Sequence, residues 1–434
     1  MSKPGLQNQL SFERVLKCRL CGSTDLSVVF KLPDTPFGDR YLPSGQGAKD
    51  ANLIPLEVVQ CHSCNNFQTS VVVDTSSMYE HYLSRPGVVN QILSDAYLDY
   101  AKDLQSIMSL SEQDLVVEIG SNDGLFVSFF VDRGIRCLGV DPAKNLTEAA
   151  ANRGVATITS FFGSNVAENI GSDHGKAKLI IANFMFANVP QLDDFVIGVK
   201  NLLHSDGVFS VETNYVLDIV GNLQLEVINH EHITYFSVTS LESFLAAYDL
   251  EIFFAKRVPA KSGSLRCYIQ HKGANFAIQE SVNAAKHYER TFGIFSATAW
   301  APMVETIHHA EKVSYEFFMR RKSNGIVGYG SSIGATTLIY ALKIGEFLDA
   351  LIDDDPYRQG LESPGWAIPT VKREDIFLSQ SSPSYCAILA PRYVSQIVAK
   401  NLTAVRTGVN FLRVWPVLEE VSSPIWQSHS VIFR

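Results

Sequence analysis

Val116-Val117-Glu118-Ile119-Gly120-Ser121-Asn122-Asp123-Gly124 is the stretch on which the reading of this chain turns. A short apolar run ends in a glycine turn, and the turn opens onto apolar residues at helical spacing over 125–133. A second short strand, at 137–140, ends in Asp141. Glycines at the carboxyl end of a first strand let the backbone approach a ligand, and an acid closing the second strand accepts hydrogen bonds from ribose hydroxyls. The loop lacks both the complete G-x-G-x-x-G of dinucleotide folds and the Lys-Ser/Thr ending of a phosphate-cradling loop. S-adenosylmethionine, an adenosine joined to an amino acid without phosphate, suits it better than a pyrophosphate; an ordinary βα turn is the plain alternative. Strands at 177–182, leading into Asn183, and at 208–212 continue the alternation with helical patterns, which predicts a parallel, doubly wound sheet. The cofactor-contacting candidates are Glu118, Gly120, Asn122, Gly124, Asp141 and Asn183.

Upstream stand two cysteine pairs, Cys18-x2-Cys21 and Cys61-x2-Cys64, in a segment of short strands and turns with little core of its own. Two matched knuckles predict one structural, tetrahedral Zn²⁺, which supplies folding free energy and leaves no open coordination position for catalysis. A thioredoxin-like redox pair competes, but no βαβ pattern surrounds either motif. His62, between the second pair, reads as a solvated bystander. Of the seven cysteines, Cys137, Cys267 and Cys386 lie in apolar, strand-like surroundings and read as inert core residues.

The 434 residues are enough for two or three independently packed cores. A formal net charge of -9, with no basic block, argues against a nucleic-acid surface. No apolar run of membrane-spanning length and no signal-peptide pattern occurs, so the expected setting is the cytoplasm, away from membranes, as a monomer or weak homodimer.

After the fifth strand comes Asn229-His230-Glu231-His232-Ile233-Thr234-Tyr235-Phe236. A histidine near neutrality can remove a proton, and a neighbouring carboxylate can fix its tautomer. The H-E-H spacing does not place two histidines on one helical face, as a metal-binding H-E-x-x-H does. A solvated histidine cluster is the bland reading. Further on, Val327-Gly328-Tyr329-Gly330-Ser331-Ser332-Ile333-Gly334 forms another nucleotide-fold turn, with Leu351-Ile352-Asp353-Asp354 as the next strand and its acids. A true NAD site is the competing interpretation of that turn. Between them, residues 275–321 are helical in pattern, with His287, His308 and His309 on a solvated face.

Taken together, these motifs resemble the S-adenosylmethionine-dependent nucleotide-sugar C-methyltransferases. The resemblance runs over nearly the whole chain: two cysteine pairs, the 118–124 loop with Asp141, the His230-Glu231-His232 signature with Tyr235-Phe236-Ser237, and the C-terminal turn with Gln359-Gly360 and Pro364-Gly365. It implies an α/β protein with a zinc-stapled N-terminal domain (1–86), a Rossmann-like methyltransferase domain (87–275), a helical connector (276–322) and a second Rossmann-like domain (323–434) that holds no nicotinamide. It implies His232 as general base, supported by Glu231, His230 and Asn229, acting on a nucleotide-linked 4-keto sugar through an enolate. Acceptor contacts are expected from Tyr79, Tyr82, Tyr215, Lys261, Ser264 and Tyr329. The chain departs from the pattern where the signature's leading tyrosine is Asn229, where a loop histidine is Asn188, where His-Gly-Gly-Ser is Lys261-Ser262-Gly263-Ser264, and around Met78 and Ser84. Lys261 would stabilise an enolate, bind diphosphate or lie in solvent. The departures keep open a different acceptor (a sugar hydroxyl or a non-sugar carbon acid) and a non-catalytic binding scaffold.

Overall fold

A computed structural model describes residues 10–74, 79, 82–83, 91–379 and 382–421. Met78 and Ser84 lie outside the described residues.

The strand Leu115–Ile119 is buried along its whole length. Its residues alternate between two apolar layers: Leu115, Val117 and Ile119 pack on one face, and Val116 on the other. Burial on both faces is why it reads as a continuous apolar run. The helix Gln91–Met108 covers the second face with Tyr97, Tyr100, Ala101, Leu104 and Met108, a stripe at helical spacing.

Around this strand a seven-stranded sheet forms in the order Leu250–Val258, Ser264–His271, Leu203–Asn214, Ala177–Asn183, Leu115–Ile119, Arg136–Val140, Thr157–Ile158. Ser264–His271 runs antiparallel to both neighbours, and the remaining pairings are parallel. A buried ion pair, Arg266 to Glu212 at 2.7 Å, ties that strand to its neighbour, with the guanidinium over the Tyr100 ring.

The expected doubly wound C-terminal sheet is present as six strands, ordered Thr370–Val371, Ala350–Ile352, Ile326–Tyr329, Tyr385–Ile388, Asn410–Arg413, Glu419–Glu420, with only the last antiparallel. Its first helix spans Ile333–Ala341 and is capped by Ser332, whose hydroxyl accepts from the Ala335 N–H.

The third sheet crosses the expected boundaries. Leu26–Thr35, Ile54–Cys61 and Phe67–Thr69 pair in sequence order, and Thr234–Tyr235, directly after the His-Glu-His segment, completes the edge. Leu361–Glu362 likewise pairs with Leu42–Pro43. One apolar cluster crosses these boundaries, joining Phe30 and Phe67, Trp300 and Phe318 of the connector, and Ile326 and Leu338, while the middle and C-terminal sheets keep further clusters of their own. The connector helices are Glu280–Phe292 and Ala301–Met319, with His287, His308 and His309 exposed as expected.

Candidate active site

The chain reverses sharply after Ile119. Gly120 adopts φ 70°, and a Cβ there would stand 2.7 Å from Met185 Cγ, so both the left-handed backbone and the close approach demand glycine. Asn122 follows with φ 51°, and its N–H donates to Asp141 Oδ2 at 2.8 Å, while Ala143 N–H donates to Oδ1 at 2.9 Å. Asp141 thus organises both loops; burial raises its pKa against these two donors. Glu118 accepts from Val127 N–H at 3.1 Å, and burial holds its carboxyl well above the usual range.

These residues line a cavity of about 1210 Å³ at the carboxyl edge of the sheet. Glu118, Gly120, Asn122, Asp141 and Asn183 all form its wall. Gly124 does not: it precedes the helix Leu125–Val131, and a Cβ there would meet Ala150 at 3.0 Å, so this glycine permits helix packing. The opposite wall comes from the N-terminal part, where Ser11, Phe12, Glu13, Val72, Val73 and Asp74 close the cavity. Among the described residues, none beyond Lys261 lines it.

Asn183 lines the wall with neither its amide nitrogen nor its oxygen bonded within the protein, and the Asn188 oxygen is also unpaired. Buried amides of this kind await a ligand. The charged lining is mostly acidic, with Glu13, Asp74, Glu118, Asp123, Asp141 and Asp194. Unpaired amides, a ribose-type acid and carboxylates match a cationic, phosphate-free nucleoside, so the residues fit S-adenosylmethionine.

Tyr79, Tyr82 and Lys261 line the same cavity. Three other candidates are committed elsewhere. The Tyr215 hydroxyl donates to Glu289 Oε1 at 2.8 Å, the Tyr329 hydroxyl to Asp354 at 3.0 Å, and Ser264 Oγ to the Ala260 carbonyl at 2.8 Å. All three are buried in packing, and none lines the cavity. Glu289, which sequence reading passed over, also accepts from the N–H groups of Val238 and Thr239. An acid at the buried position of an amphipathic helix was the signal available for it.

The His-Glu-His loop sits behind the wall, one hydrogen bond away: Tyr82 donates to Glu231 Oε2 at 3.2 Å. Burial, with Asp39 nearby, pushes the Glu231 carboxyl up to about 8, against the opposing pull of Arg358 and Lys261. His232 is set by its own loop. The Val227 carbonyl can only accept, so its 2.7 Å contact favours the proton on Nδ1, while the Asn229 amide nitrogen stands 3.2 Å from that same Nδ1. The Asn214 amide nitrogen stands 3.4 Å from Nε2. Burial lowers the His232 pKa to about 4, with Lys261 and Arg392 acting in the same direction, so the imidazole is neutral. Asn229 accepts from the N–H groups of Glu231 and His232 at 3.0 and 3.2 Å and donates to the same Val227 carbonyl, so it shapes the turn. His230 points the other way, its ring contacting the Pro55 carbonyl at 3.2 Å and Phe37, and pins the loop to the N-terminal sheet. A direct catalytic part for Asn229 or His230 has no support in this geometry.

The Cys18, Cys21, Cys61 and Cys64 sulfurs all lie within 4.8 Å of one another, with Cys18–Cys64 at 3.5 Å and Cys21–Cys61 at 3.6 Å. Four thiolates at about 2.3 Å from a tetrahedral zinc stand about 3.8 Å apart, so donors and spacing fit a closed structural site. His62 bonds Ser27 on the surface, 2.8 Å away. Arg19, between the first two cysteines, donates to the Val189 and Pro190 carbonyls, both at 2.7 Å, and to Thr234 at 3.3 Å. The knuckle thereby grips the cavity wall.

The glycine turn, the ribose-type acid and the unpaired amides at the edge of a doubly wound sheet define an S-adenosylmethionine-dependent methyltransferase. Family models match in order along the chain: a zinc binding domain at 18–79, a methyltransferase domain at 93–253 and a C-methyltransferase C-terminal domain at 259–416. The chain is an S-adenosylmethionine-dependent methyltransferase in which these three modules follow one another, and it is similar to C-methyltransferases. It is 28% identical over 405 residues to the C-methyltransferase NovU of Streptomyces niveus, covering 91% of this chain and 94% of that protein. Among solved structures, S-adenosylmethionine-dependent methyltransferases of Anabaena variabilis (16% identity, 42% of this chain and 96% of that one, TM-score 0.33) and Clostridium acetobutylicum (13%, 43% and 94%, 0.33) overlap it only loosely. No helix among the described residues is long and apolar enough to cross a membrane.

Proposed function

We propose that the protein methylates the carbon next to the ketone of a nucleotide-linked 4-keto-deoxysugar, with His232 as the base. The observation that carries this is the setting of His232: its Nδ1 lies 2.7 Å from the Val227 carbonyl, which orients a neutral imidazole as a proton acceptor, and its loop meets the cavity through the Glu231–Tyr82 hydrogen bond. A ketone acidifies that proton, and its removal leaves an enolate whose carbon is the nucleophile. S-adenosylmethionine, held by Glu118, Asn122, Asp141 and Asn183, supplies the electrophilic methyl group. The sugar class rests on the resemblance of the loop and signature, supported by likeness to a C-methyltransferase. At about 1210 Å³ the cavity exceeds the ordinary range for one small ligand, leaving room for a large acceptor beside the cofactor.

The test is exchange of acceptor carbon-bound hydrogen for deuterium, followed by mass spectrometry over a panel of nucleotide-linked 4-keto sugars, with and without cofactor. Exchange that needs His232, and a gain of one methyl mass on adding cofactor, is the expected result. Methylation without exchange on any member, or methyl gain only on a hydroxyl acceptor, would overturn it. For the cofactor side, Asp141→Ala should weaken S-adenosylmethionine binding about 10- to 100-fold by calorimetry with the circular dichroism spectrum unchanged, since a hydrogen bond to a charged acceptor is worth about 1.5–3 kcal/mol.

A further inference from the structure

The turn that carries Lys261 is backbone no ordinary residue prefers. Lys261 has φ 50°, Ser262 φ 70° and Gly263 φ 131°. Two successive non-glycine residues in the left-handed region cost free energy, and such a segment persists only where its surroundings over-determine it. Here side chains from two parts of the molecule do so. Gln224 and Asn222 donate to the Ser262 carbonyl at 2.6 and 3.4 Å. Arg392, from the C-terminal sheet's periphery, donates through one nitrogen to the Lys261 carbonyl at 3.3 Å and through Nε to Glu226 at 3.2 Å. Glu226 is itself wedged against Gly334 at the start of the C-terminal domain's first helix.

The product of this framework is one ammonium group in the cavity. Among the described lining residues Lys261 is the sole lysine, arginine or histidine, and the other charged side chains there are carboxylates. Its Nζ lies 3.6 Å from the centroid of the Phe184 ring, and Phe184 too has a positive φ, 52°. Its charge reaches both His232 and Glu231. An acceptor oxygen that gains negative charge in the cavity has this one cation among the described lining residues to turn to.

We propose that Lys261 is the group that stabilises the enolate oxygen of the acceptor, and that Arg392, a residue of the C-terminal domain, is the positioning residue that fixes it there. The inference rests on the C-methylation reading given above. In the step, His232 Nε2 takes the proton from carbon, the C–H pair becomes the new C=C bond, and the carbonyl π pair moves onto oxygen, where Lys261 donates an N–H. The carbonyl is restored when that carbon forms its bond to the methyl group and the sulfonium C–S pair returns to sulfur; the proton on His232 leaves to water. Preorganised donors of this sort are effective because they need no rearrangement as the charge appears.

The ionisation of Lys261 agrees. Burial and the Arg392 charge bring its pKa down to about 7, against the raising influence of Glu212 and Glu231. The ammonium form is the useful one, so turnover should fall as pH rises through that region.

The experiment measures cofactor-free deuterium exchange and complete methylation for wild-type, K261M, K261Q, R392A and R392K proteins. K261M should lose about 10²- to 10³-fold in exchange rate, the usual loss on removing one oxyanion donor, with S-adenosylmethionine affinity unchanged. R392A should lose about tenfold or more in kcat with little change in KM, since small displacements of a catalytic group are costly, and R392K should recover part of it. R392A should also move the alkaline limb of the pH profile upward, because a charge that disfavours the Lys261 ammonium is gone; a merely structural arginine would not move it. Exchange by K261M within threefold of wild type, or by K261Q where K261M does not fold, overturns the proposal, as does an unmoved alkaline limb in R392A. Absence of exchange in wild-type protein on every keto acceptor instead defeats the C-methylation reading itself.

Discussion

Replacing Cys61 with serine is expected to remove zinc and soluble protein together, measured as metal content by mass spectrometry and yield after centrifugation. Structural zinc sites contribute about 10–16 kcal/mol of apparent binding free energy, as much as a typical domain's entire stability of about 5–15 kcal/mol. Cys61 ends the strand Ile54–Cys61, whose pairing partner Phe67–Thr69 in turn pairs with Thr234–Tyr235. Loss of the metal therefore reaches the segment directly after His232. It also frees Arg19, whose bonds to the Val189 and Pro190 carbonyls hold part of the cavity wall. Whatever protein remains soluble should show a raised KM for the acceptor. Full yield without zinc would show the site to be dispensable.

Much of the cofactor side was legible because its determinants are local. A glycine turn and an acid one strand later fix the 118–124 loop and Asp141 through backbone hydrogen bonds that span 19 residues or fewer. The acceptor side was read less well, for a physical reason. Tyr215, Tyr329 and Ser264 stand near site residues in sequence, but whether a hydroxyl faces a cavity or a neighbour depends on elements far along the chain, as Tyr215 with Glu289 demonstrates. The order of segments likewise says nothing about which one covers the sheet's carboxyl edge; antiparallel pairing of Phe12–Arg14 with Val71–Val73 brings the N-terminal part there.

The second glycine turn shows how the same local pattern serves another end. At Gly334 a Cβ would stand 2.8 Å from the Glu226 carbonyl oxygen, and at Gly38 one would stand 2.6 Å from Ile333. Thr336 and Thr337 donate to the Gly38 and Ile228 carbonyls at 3.0 and 3.1 Å. The close approach that a dinucleotide would use is taken by protein backbone. A Rossmann-like turn has become an interdomain joint, and the joint leads through Glu226 and Arg392 to Lys261.

With His232 as the base, His232→Ala should lower methyl transfer by about 10²- to 10⁴-fold, the ordinary contribution of a positioned base, and abolish cofactor-free exchange. Cofactor affinity should not change, because the ring of His232 contacts Val227, Asn214 and Asn229 and not the cofactor-side residues Glu118, Asn122, Asp141 and Asn183. The neutral imidazole is the working form, and burial has lowered its pKa to about 4, so wild-type activity should hold steady through mildly acidic pH and fall only as pH drops toward that value. His232→Gln, which keeps a hydrogen-bonding side chain but cannot accept a proton near neutrality, should match the alanine variant in exchange. Asn229→Ala supplies the contrast. It removes the acceptor for the Glu231 and His232 N–H groups and leaves the imidazole in place, so it should slow exchange through misplacement while keeping the acidic limb where it was. Equal loss of cofactor binding and methyl transfer in His232→Ala, or exchange that survives it, would assign the proton transfer to another group, and Glu231, held near neutrality and bonded to Tyr82 at the cavity, would be the one to replace next.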